Sequence, residues 1–430
     1  MKIYQNPDTS LSKKILQRPV HDAKNLEAIV EGVLQRVREE GDIALKNFTE
    51  KFDRVAITNF KVREEEIEAA RNQVAPELKK AIQTAKSNIS VFHQSQKSDP
   101  SRIETMSGIE CWQKSVGIEK VGFYIPGGTA PLFSSVLMMA VPAQIAGCKE
   151  IILCTPPQKD GSINPVILYT ANLCGVSQIF KVGGAQAVAA MAYGTETIPA
   201  VYKIYGPGNQ YVTAAKQLVS QQGIAIDMPA GPSELMVVAD HTAEASFVAA
   251  DLLSQAEHGV DSQVVLVAFD LDFAKNVLAE IEIQLTKLPR QEIAKKALEN
   301  SPILIIENRD IALNIVNQYA PEHLILALEE VEVFAEKVNN AGSVFMGNYT
   351  PESVGDYASG TNHTLPTNGY ARSYSGLNLD AFVKKITFQK LSATGLQNIG
   401  KTVELMAEAE QLQAHKEAVS VRLREIMNNE

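Results

Sequence analysis

Hydrophobic residues in the first hundred positions recur three and four apart, which is the spacing of one helix face. The pattern runs from residue 25 to 37 and again from residue 64 to about 94. Pro76 lies inside the second run and predicts two helices there, because proline cannot donate a hydrogen bond within a helix. The same spacing from Gly400 to Met427 predicts one long amphipathic helix near the end of the chain.

Between these helical ends, short β-rich runs alternate with helical runs. Two groups of strands are predicted, at residues 121–124, 151–154, 179–182, 201–205 and 224–227, and at 235–239, 264–269, 304–306, 324–327 and 343–346. Within the first group, helices are predicted to begin near Phe133, Pro165, Ala185 and Gln210. Such alternation is typical of βαβ units, in which helices cover the faces of a parallel sheet. The sequence therefore predicts an α/β fold with two mostly parallel sheets and helical N- and C-terminal segments.

Composition fits a globular chain with more than one core. The chain has 430 residues, of which 45% are hydrophobic and 21% charged, and its net charge is −10. This length favours two or more domains, and the negative charge disfavours nucleic acid or an anionic membrane as a partner. No signal peptide or stretch of twenty apolar residues is seen. Four cysteines without CxxC spacing predict buried thiols in a cytoplasmic protein.

One predicted helix end carries two possible metal ligands. The apolar run 247–253 predicts a helix that ends at Gly259, with Gln255 and His258 three residues apart on one face. Imidazole is an ordinary zinc ligand, and an amide oxygen is a less usual one. A histidine in the last turn of a helix also stabilises the helix dipole without any metal. Taken alone, this stretch leaves both interpretations open.

Glycine-bearing turns follow three strands of the first group, at residues 124–131, 183–186 and 206–209. Each turn opens onto a helix N-terminus, where free N–H groups and the helix dipole favour an anion such as a pyrophosphate. Ligands of open parallel sheets bind beyond the carboxyl ends of the strands. The dinucleotide fingerprint G-x-G-x-x-G is not met and no P-loop is seen. One such turn could be purely structural, but three at one edge predict a site for a phosphate-bearing ligand.

The second group of strands adds a carboxylate, two imidazoles and a polar loop. Adjacent Glu322 and His323 point to opposite sides of an extended strand unless the chain turns there, and Pro321 favours such a turn. The pair offers a carboxylate and an imidazole, which are the usual general bases. The loop 352–363 is polar and contains glycines, which favours a functional role. Asp356 could complete a metal shell and His363 could hold a substrate. A turn-capping aspartate and a surface histidine are the structural alternatives.

Seven motifs resemble those of the histidinol dehydrogenase family and occur in the family's order. They are GFYIPGGTAPLF (122–133), VGGAQA (182–187), YGPGN (205–209), DMPAGPSE (227–234), SQAEHG (254–259), YAPEHL (319–324) and GDYASGTNH (355–363). The resemblance runs from about residue 20 to the end of the chain, and several of the motifs are long and peculiar to that family. It implies an enzyme that oxidises L-histidinol through L-histidinaldehyde to L-histidine with two NAD molecules, as the last step of histidine biosynthesis.

The resemblance also implies a site, residue by residue. One zinc ion per subunit would be held by Gln255, His258, Asp356 and His415. The implied substrate contacts are Ser233, Gln255, His258, His323, Asp356, His363, Glu410 and His415. The implied NAD contacts are Tyr124, Gln186 and Asn209. A homodimer with an exchanged C-terminal segment is implied as well, so that Glu410 and His415 would serve the partner's site; five residues apart, they do not share a helix face cleanly.

The implied domains follow the two groups of strands. They are an N-terminal segment 1–24, a substrate and metal domain with a helical part 25–123 continued in 233–377, a Rossmann-like, doubly wound but incomplete NAD-binding domain 124–232, and a helical C-terminal segment 378–430 that crosses to the partner. The substrate domain is expected to be Rossmann-like too.

The residue types suggest how the chemistry would be divided. A histidine has a pKa near neutrality, so His323 suits removal of the hydroxyl proton, and Glu322 would then activate water for the aldehyde step. No cysteine lies in the motifs, which disfavours a thiohemiacetal route. Zinc would anchor the substrate, and manganese or cobalt suits the same ligands. A zinc hydrolase with Glu322 as base and a non-enzymatic binding protein are the alternatives, and neither explains the glycine turns.

Overall fold

The computed structural model describes residues 1–18, 23–98, 101–127, 131–229 and 231–428. The centre of the first glycine turn, residues 128–130, therefore lies outside the described residues, as does Ala230 of the DMPAGPSE motif. The strands in chain order are β1 (Lys2–Gln5), β2 (Ile103–Met106), β3 (Ile109–Gly117), β4 (Lys120–Tyr124), β5 (Glu150–Thr155), β6 (Gln178–Lys181), β7 (Lys203–Tyr205), β8 (Ala225–Ile226), β9 (Glu234–Ala239), β10 (Gln263–Ala268), β11 (Pro302–Ile305), β12 (His323–Ala327), β13 (Ser343–Met346) and β14 (Val383–Leu391).

The helices alternate with these strands through the middle of the chain. In chain order they are α1 (Thr9–Ile15), α2 (Ala23–Glu40), α3 (Asp42–Phe48), α4 (Glu64–Gln73), α5 (Pro76–Gln94), α6 (Phe133–Ala146), α7 (Pro165–Leu173), α8 (Gly184–Tyr193), α9 (Gln210–Gln221), α10 (Ala245–Ala256), α11 (Leu271–Leu285), α12 (Gln291–Glu299), α13 (Arg309–Tyr319), α14 (Val331–Ala335), α15 (Glu352–Tyr357), α16 (Ala393–Ala409) and α17 (Gln413–Asn428). The predicted division at Pro76 is confirmed, since proline occupies the first turn of α5.

The chain forms two compact units. The first comprises Met1–Gln96 and Ile118–Phe382, and the second comprises Lys97–Gly117 and Val383–Glu430. The predicted α/β class with mostly parallel sheets is confirmed, because both sheets of the first unit are parallel throughout. The proposed domain boundaries stay a prediction.

A six-stranded parallel sheet in the first unit has the order β1-β11-β10-β9-β12-β13. Its central strands β9 and β10 are rich in valine and leucine and buried at every position, as expected of a parallel sheet covered on both faces. One face packs on α10, α11 and α12 and the other on α13. The edge strand β1 was not predicted, because four residues at a chain end carry too short a pattern to distinguish a strand.

A five-stranded parallel sheet, with the order β6-β5-β4-β7-β8, completes the first unit. Helices α5, α6 and α7 cover one face, and α2, α3, α8 and α9 cover the other. The sheet is therefore doubly wound. Three of its strands, β4, β6 and β7, end where the predicted glycine turns begin, so these turns lie at the carboxyl ends of the parallel strands.

The second unit contains a three-stranded antiparallel sheet, β14-β3-β2, that was not predicted. Residues 25–123 and 378–430 were expected to be helical, and the structure corrects this at β2, β3 and β14. Strand β14 is rich in β-branched and aromatic residues, and its Phe388 ring stacks on Trp112 of β3 at 5.4 Å. The pairing joins segments far apart in the sequence, which local periodicity does not report.

The predicted single helix from Gly400 to Met427 is wrong. Helix α16 ends at Ala409, α17 begins at Gln413, and Gln411 between them has a left-handed backbone with φ 60°. Contacts of Gly400 with Leu423 and of Glu408 with Lys416 show that the two helices are antiparallel. The chain therefore forms a helical hairpin whose tip lies at residues 410–412.

Two further sequence expectations concern the environment of the chain. Among the described residues, no helix is long and apolar enough to cross a membrane. All four cysteines are free thiols; Cys154 and Cys174 are buried as expected, whereas Cys111 and Cys148 are half-buried.

Candidate active site

Glu322 and His323 lie at the amino end of β12, where the chain turns after α13. Ala320 has a left-handed backbone with φ 53°, so the turn that Pro321 allowed is present. Both side chains are buried, and Glu322 Oε2 lies 3.7 Å from His323 Nδ1. The carboxylate and the imidazole are therefore held together although they are adjacent on the chain.

The backbone of Glu234, at the start of the neighbouring strand β9, orients this pair. Its N–H donates to Glu322 Oε2 at 2.9 Å, and its carbonyl oxygen lies 3.1 Å from His323 Nδ1. A carbonyl only accepts hydrogen bonds, so the neutral ring carries its proton on Nδ1 and a lone pair on Nε2. Nε2 is buried and lacks a hydrogen-bond partner among the described residues, which suits a general base.

Two further carboxylates on α15 surround the imidazole. Glu352 Oε1 lies 3.6 Å from His323 Nδ1, and Asp356 Oδ1 lies 3.6 Å from Nε2. One ligand atom from each of these three residues lies within 4.8 Å of the others, a spacing at which they could hold a metal ion. Sequence reasoning selected Asp356 but missed Glu352. The signal that could have identified Glu352 was its spacing of four residues from Asp356, which places both carboxylates on one helix face.

The predicted ligands on α10 lie beside this cluster. Gln255 is buried, and its Nε2 donates to Glu234 O at 3.2 Å and lies 3.2 Å from His323 Nδ1. Its Oε1 is buried and has no hydrogen-bond partner within the described part of the chain. The helix ends at Ala256 and not at Gly259 as predicted, so His258 lies in the following turn and shares no helix face with Gln255.

The charges of the site favour a cation. Burial raises the pKa of Glu322 to about 7 and that of Glu352 to about 8, since a buried carboxyl resists ionisation. Burial by itself would lower the pKa of His323, but the carboxylates around it outweigh that effect and hold its pKa well above the usual value. A buried positive group, either an imidazolium or a metal ion, is what this set of carboxylates would stabilise.

His258 and His363 complete the surroundings of Asp356. The side chain of His258 reaches solvent, yet the dense protein around it desolvates the ring and lowers its pKa against the pull of Asp356. His363 Nδ1 lies 2.9 Å from Asp356 O, and its Nε2 lies 3.2 Å from Ser135 Oγ on α6. The loop after α15 is thereby fixed to the helix that follows β4. Ser135 was not predicted as a site residue, because nothing near it in the sequence indicates a functional role.

At the five-stranded sheet, two of the predicted NAD contacts meet at one glycine. The backbone N–H of Gly184 donates to the Tyr124 hydroxyl at 3.1 Å. Gly184 has a positive φ of 66°, and a Cβ on it would lie 2.7 Å from Gln186 Oε1. Tyr124 and Gln186 are both buried. This turn therefore needs glycine for its backbone conformation and for the close approach of Gln186.

The turn at Gly206 is held by a buried ion pair. Asp227 accepts from Gly206 N at 2.8 Å, while Lys216 Nζ donates to Gly206 O at 2.8 Å and to Asp227 at 2.6 Å. Asn209, the third predicted NAD contact, is exposed and caps α9 by accepting from the N–H groups of Tyr211 and Val212. Its side chain therefore has a structural role already.

Three predicted residues remain to be placed, namely Ser233, Glu410 and His415. Ser233 is half-buried and directly precedes β9. Glu410 lies at the C-terminal end of α16 and His415 lies in α17, both exposed and both in the second unit. The structure thus brings together Glu322, His323, Gln255, His258, Asp356 and His363 within the first unit.

Comparisons with known proteins agree with one another. Residues 16–423 match the family model described as histidinol dehydrogenase. The chain is 57% identical over 423 residues to histidinol dehydrogenase of Bacteroides thetaiotaomicron, which covers 98% of this chain and 99% of the relative. It is 51% identical over 427 residues to the enzyme of Vibrio cholerae, covering 99% and 98%. The crystal structure of histidinol dehydrogenase from Elizabethkingia anophelis superposes with a TM-score of 0.97 at 56% identity, covering 99% and 98%.

Proposed function

This chain belongs to the histidinol dehydrogenase family, and from that premise we propose how its residues divide the oxidation of L-histidinol to L-histidine. The protein is an oxidoreductase of histidine biosynthesis, which decides against a hydrolase or a non-enzymatic binding protein. The proposal concerns the catalytic residues, the metal, the nucleotide and the partner subunit. A cytoplasmic location stays a prediction from the sequence.

His323 is the general base of both oxidations in this proposal. Its Nδ1–H is fixed by the Glu234 carbonyl, so Nε2 is the nitrogen at which the second proton is gained and lost. The surrounding carboxylates raise the pKa of His323 well above its usual value, so the ring is a strong base once Nε2 has lost that proton. Removal of a hydroxyl proton at Nε2 produces an imidazolium, and the neighbouring carboxylates of Glu352 and Asp356 stabilise that charge. The same nitrogen takes the proton of the hydrated aldehyde in the second oxidation.

Glu322 activates the water that adds to the aldehyde. Its Oε2 accepts from Glu234 N, which leaves the other carboxylate oxygen for a water molecule. Burial raises its pKa to about 7, so the carboxylate is a stronger base than an exposed glutamate near neutral pH. Its place beside His323 lets the two residues act on the same carbon of the substrate.

Gln255, His258 and Asp356, with His415 as a fourth ligand, are the proposed zinc site. The residues of the first unit fit a metal: the buried Gln255 Oε1 lacks a hydrogen-bond partner among the described residues, and Asp356 lies among groups that favour a cation. Mixed nitrogen and oxygen ligands are usual for zinc. Bound zinc would grip and orient the substrate's nitrogen atoms. Ser233, His363 and Glu410 are proposed to contact the substrate around it.

NAD is proposed to bind at the carboxyl edge of the five-stranded sheet. The turns at Gly184 and Gly206 open onto α8 and α9, whose N-terminal N–H groups favour a pyrophosphate. Tyr124 and Gln186 contact the nucleotide there, and Asn209 contributes at the N-terminus of α9. Two NAD molecules are used in succession, one for each oxidation.

A homodimer is proposed to complete the site by exchanging C-terminal segments. Glu410 and His415 lie in the second unit, whereas the other proposed metal ligands lie in the first. If the exchange occurs, a His415→Asn protein and a His258→Asn protein are each inactive alone. After mixing and subunit exchange, about a quarter of the wild-type activity should return, because one site of each mixed dimer is intact. Mixtures that stay inactive, while two wild-type samples survive the same treatment, would contradict the exchange.

The proposal rests above all on the buried His323, with Nδ1 anchored by the Glu234 carbonyl and Nε2 beside the Asp356 carboxylate, without a hydrogen-bond partner among the described residues. It is tested by incubating the protein with L-histidinol and NAD and counting NADH by absorbance and histidine by chromatography. We expect two NADH per histidine, loss of turnover after chelation, and recovery with zinc. One NADH per molecule of aldehyde released would contradict the coupled oxidation, and full activity after complete metal removal would contradict the zinc site.

A further inference from the structure

Glu234 contacts three proposed functional side chains through its own backbone. Its N–H donates to Glu322 Oε2 at 2.9 Å, and its carbonyl oxygen accepts from Gln255 Nε2 at 3.2 Å and lies 3.1 Å from His323 Nδ1. The residue begins β9, in the interior of the six-stranded sheet. A small rotation of this one residue would therefore move the acceptor of the base, the donor to the carboxylate and the anchor of a metal ligand together.

The side chain of Glu234 is clamped by an arginine from the N-terminal part of the chain. Arg18 Nε and Nη2 donate to its two carboxylate oxygens at 2.5 Å and 2.8 Å, and Asn368 N donates at 2.7 Å. Arg18 Nη2 also donates to Tyr319 O at 2.8 Å, and the guanidinium lies over the Tyr319 ring at 4.0 Å. A forked, stacked guanidinium fixes the carboxylate in orientation as well as in position.

We propose that Arg18 is a positioning residue of the active site, acting through Glu234 on Glu322, His323 and Gln255. The inference rests on the proposed roles of those three residues. Arg18 and Glu234 are 216 positions apart in the chain, so the N-terminal segment supports the chemistry through Glu234. Misplacement of reacting groups by about 1 Å can lower a rate on the order of a hundredfold, so a lost clamp affects turnover and not only stability.

The opposite end of β9 supplies a matched control. Asp240 follows the strand, is buried, and accepts from Arg309 Nη2 at 2.8 Å and from Glu329 N at 2.9 Å. Arg309 lies over the Phe269 ring at 5.8 Å, as Arg18 lies over Tyr319. Both pairs join an arginine to a buried carboxylate at an end of β9, but Arg309 makes a single hydrogen bond to Asp240 and is more exposed than Arg18. The hydrogen-bond partners of Asp240 are not among the proposed site residues.

Arg18→Lys and Arg309→Lys are compared for Tm, kcat, KM and zinc affinity, the last by chelator competition. Both substitutions keep the charge and lose the planar fork, so both should lower Tm. Only Arg18→Lys should lower kcat, by about 10- to 100-fold, weaken zinc binding, and increase the primary deuterium isotope effect on hydride transfer, with the KM for NAD unchanged. If kcat and the isotope effect are the same in both variants, the Arg18 pair is structural only and the inference is overturned.

A rescue experiment covers variants that fold less well. A cavity of about 700 Å³ lined by Arg18, Tyr319 and Arg372 opens beside the clamp, and truncation of Arg18 would extend it towards the Glu234 carboxylate that Arg18 contacts. Millimolar guanidinium should therefore restore turnover to Arg18→Ala, and an equal concentration of sodium ion should not. Equal responses to the two salts would overturn the inference.

Glu322→Gln, measured in parallel, distinguishes a failure of the proposed function from a failure of the positioning inference. If Glu322→Gln keeps full aldehyde oxidation, the proposed function of Glu322 is wrong. If it is impaired while Arg18→Lys matches Arg309→Lys, the positioning inference alone is wrong.

Discussion

The two parallel sheets of the first unit have their proposed sites at different ends of their strands, the carboxyl ends in one sheet and the amino ends in the other. The five-stranded sheet has its glycine turns at the carboxyl ends of β4, β6 and β7, where the proposed nucleotide binding would rely on backbone N–H groups and small residues. The six-stranded sheet has Glu234 and His323 at the amino ends of β9 and β12. The chemistry proposed there would rely on buried, titratable side chains.

The difference reflects what each proposed ligand needs. A pyrophosphate is already charged and needs fixed dipoles close to it, which glycine permits because it has no Cβ. Proton transfer needs groups whose pKa lies near neutrality, and the pKa of about 7 for Glu322 arises from burial. Residues at strand starts are held by neighbouring strands, so they can be buried and still oriented. The following substitutions test whether catalysis at the six-stranded sheet and NAD binding at the five-stranded sheet can be impaired independently.

His323→Asn should have the largest effect. The asparagine amide can replace Nδ1 as a donor to the Glu234 carbonyl, but it removes the basic Nε2, so kcat should fall roughly 100- to 10,000-fold. NAD affinity, measured by fluorescence titration, should stay within about twofold of wild type, because the five-stranded sheet is untouched. His241→Asn, at an exposed histidine beyond the other end of β9, is the control and should be fully active. A parallel loss of NAD affinity in His323→Asn would show that the edges are coupled.

Gly206→Ala should have the next largest effect, and on the other sheet. Gly206 has φ 130°, and an added Cβ would lie 2.1 Å from Tyr124 O, a backbone atom that cannot move aside. The turn must deform, so NAD affinity should fall about tenfold or more and Tm should drop, with zinc affinity unchanged.

Gly147→Ala separates backbone strain from crowding in that experiment. Gly147 also has a positive φ, of 83°, but nothing lies within 4 Å of an added Cβ. It should lose about 1 to 3 kcal/mol of unfolding free energy from strain alone, with normal NAD affinity. If both alanine variants bind NAD equally well, the close approach at Tyr124 has no part in nucleotide binding.

Asp53→Asn should have the smallest effect, visible only as a pH dependence. Asp53 Oδ2 is buried without a hydrogen-bond partner among the described residues, and burial raises its pKa from 3.8 to about 6. The unfolded chain then loses its proton at lower pH than the folded chain, so wild-type stability declines as the pH rises through that window. The difference in Tm between Asp53→Asn and wild type should therefore increase in favour of the variant between pH 3.8 and about pH 6 and stay constant at higher pH.

An exposed aspartate, Asp272, should show the opposite dependence of stability on pH and serves as the control. Lys275 lowers the pKa of Asp272 by a hydrogen bond, so ionised Asp272 stabilises the fold at a pH above 3.8 and that stability is lost in acid. Asp272→Asn should thus show a slightly lower Tm than wild type at neutral pH and none of the difference in strong acid. A flat difference between wild type and Asp53→Asn across pH would show that Asp53 is solvated.

The sequence predicted both parallel sheets because buried strands and covering helices have short, local hydrophobic patterns. It did not predict the antiparallel sheet or the Arg18–Glu234 pair, since each joins positions far apart in the chain. The hairpin between α16 and α17 was also missed: Gln411 adopts the left-handed backbone there, a conformation usually marked by glycine or asparagine. Glu322, His323 and Asp356 were found as motif residues, whereas their distances from one another required the folded chain.

The same hairpin bears on how a shared site would assemble. Glu410 lies in its tip and His415 lies just beyond it, and the paired helices α16 and α17 carry both residues on one arm. When an arm of this kind docks, the second group arrives at a high effective concentration as soon as the first is bound. Translational freedom is then lost once for two contacts. A flexible tail carrying the same residues would have to order each of them separately. In the exchanged arrangement proposed above, the left-handed turn at Gln411 would therefore lower the entropic cost of dimer assembly.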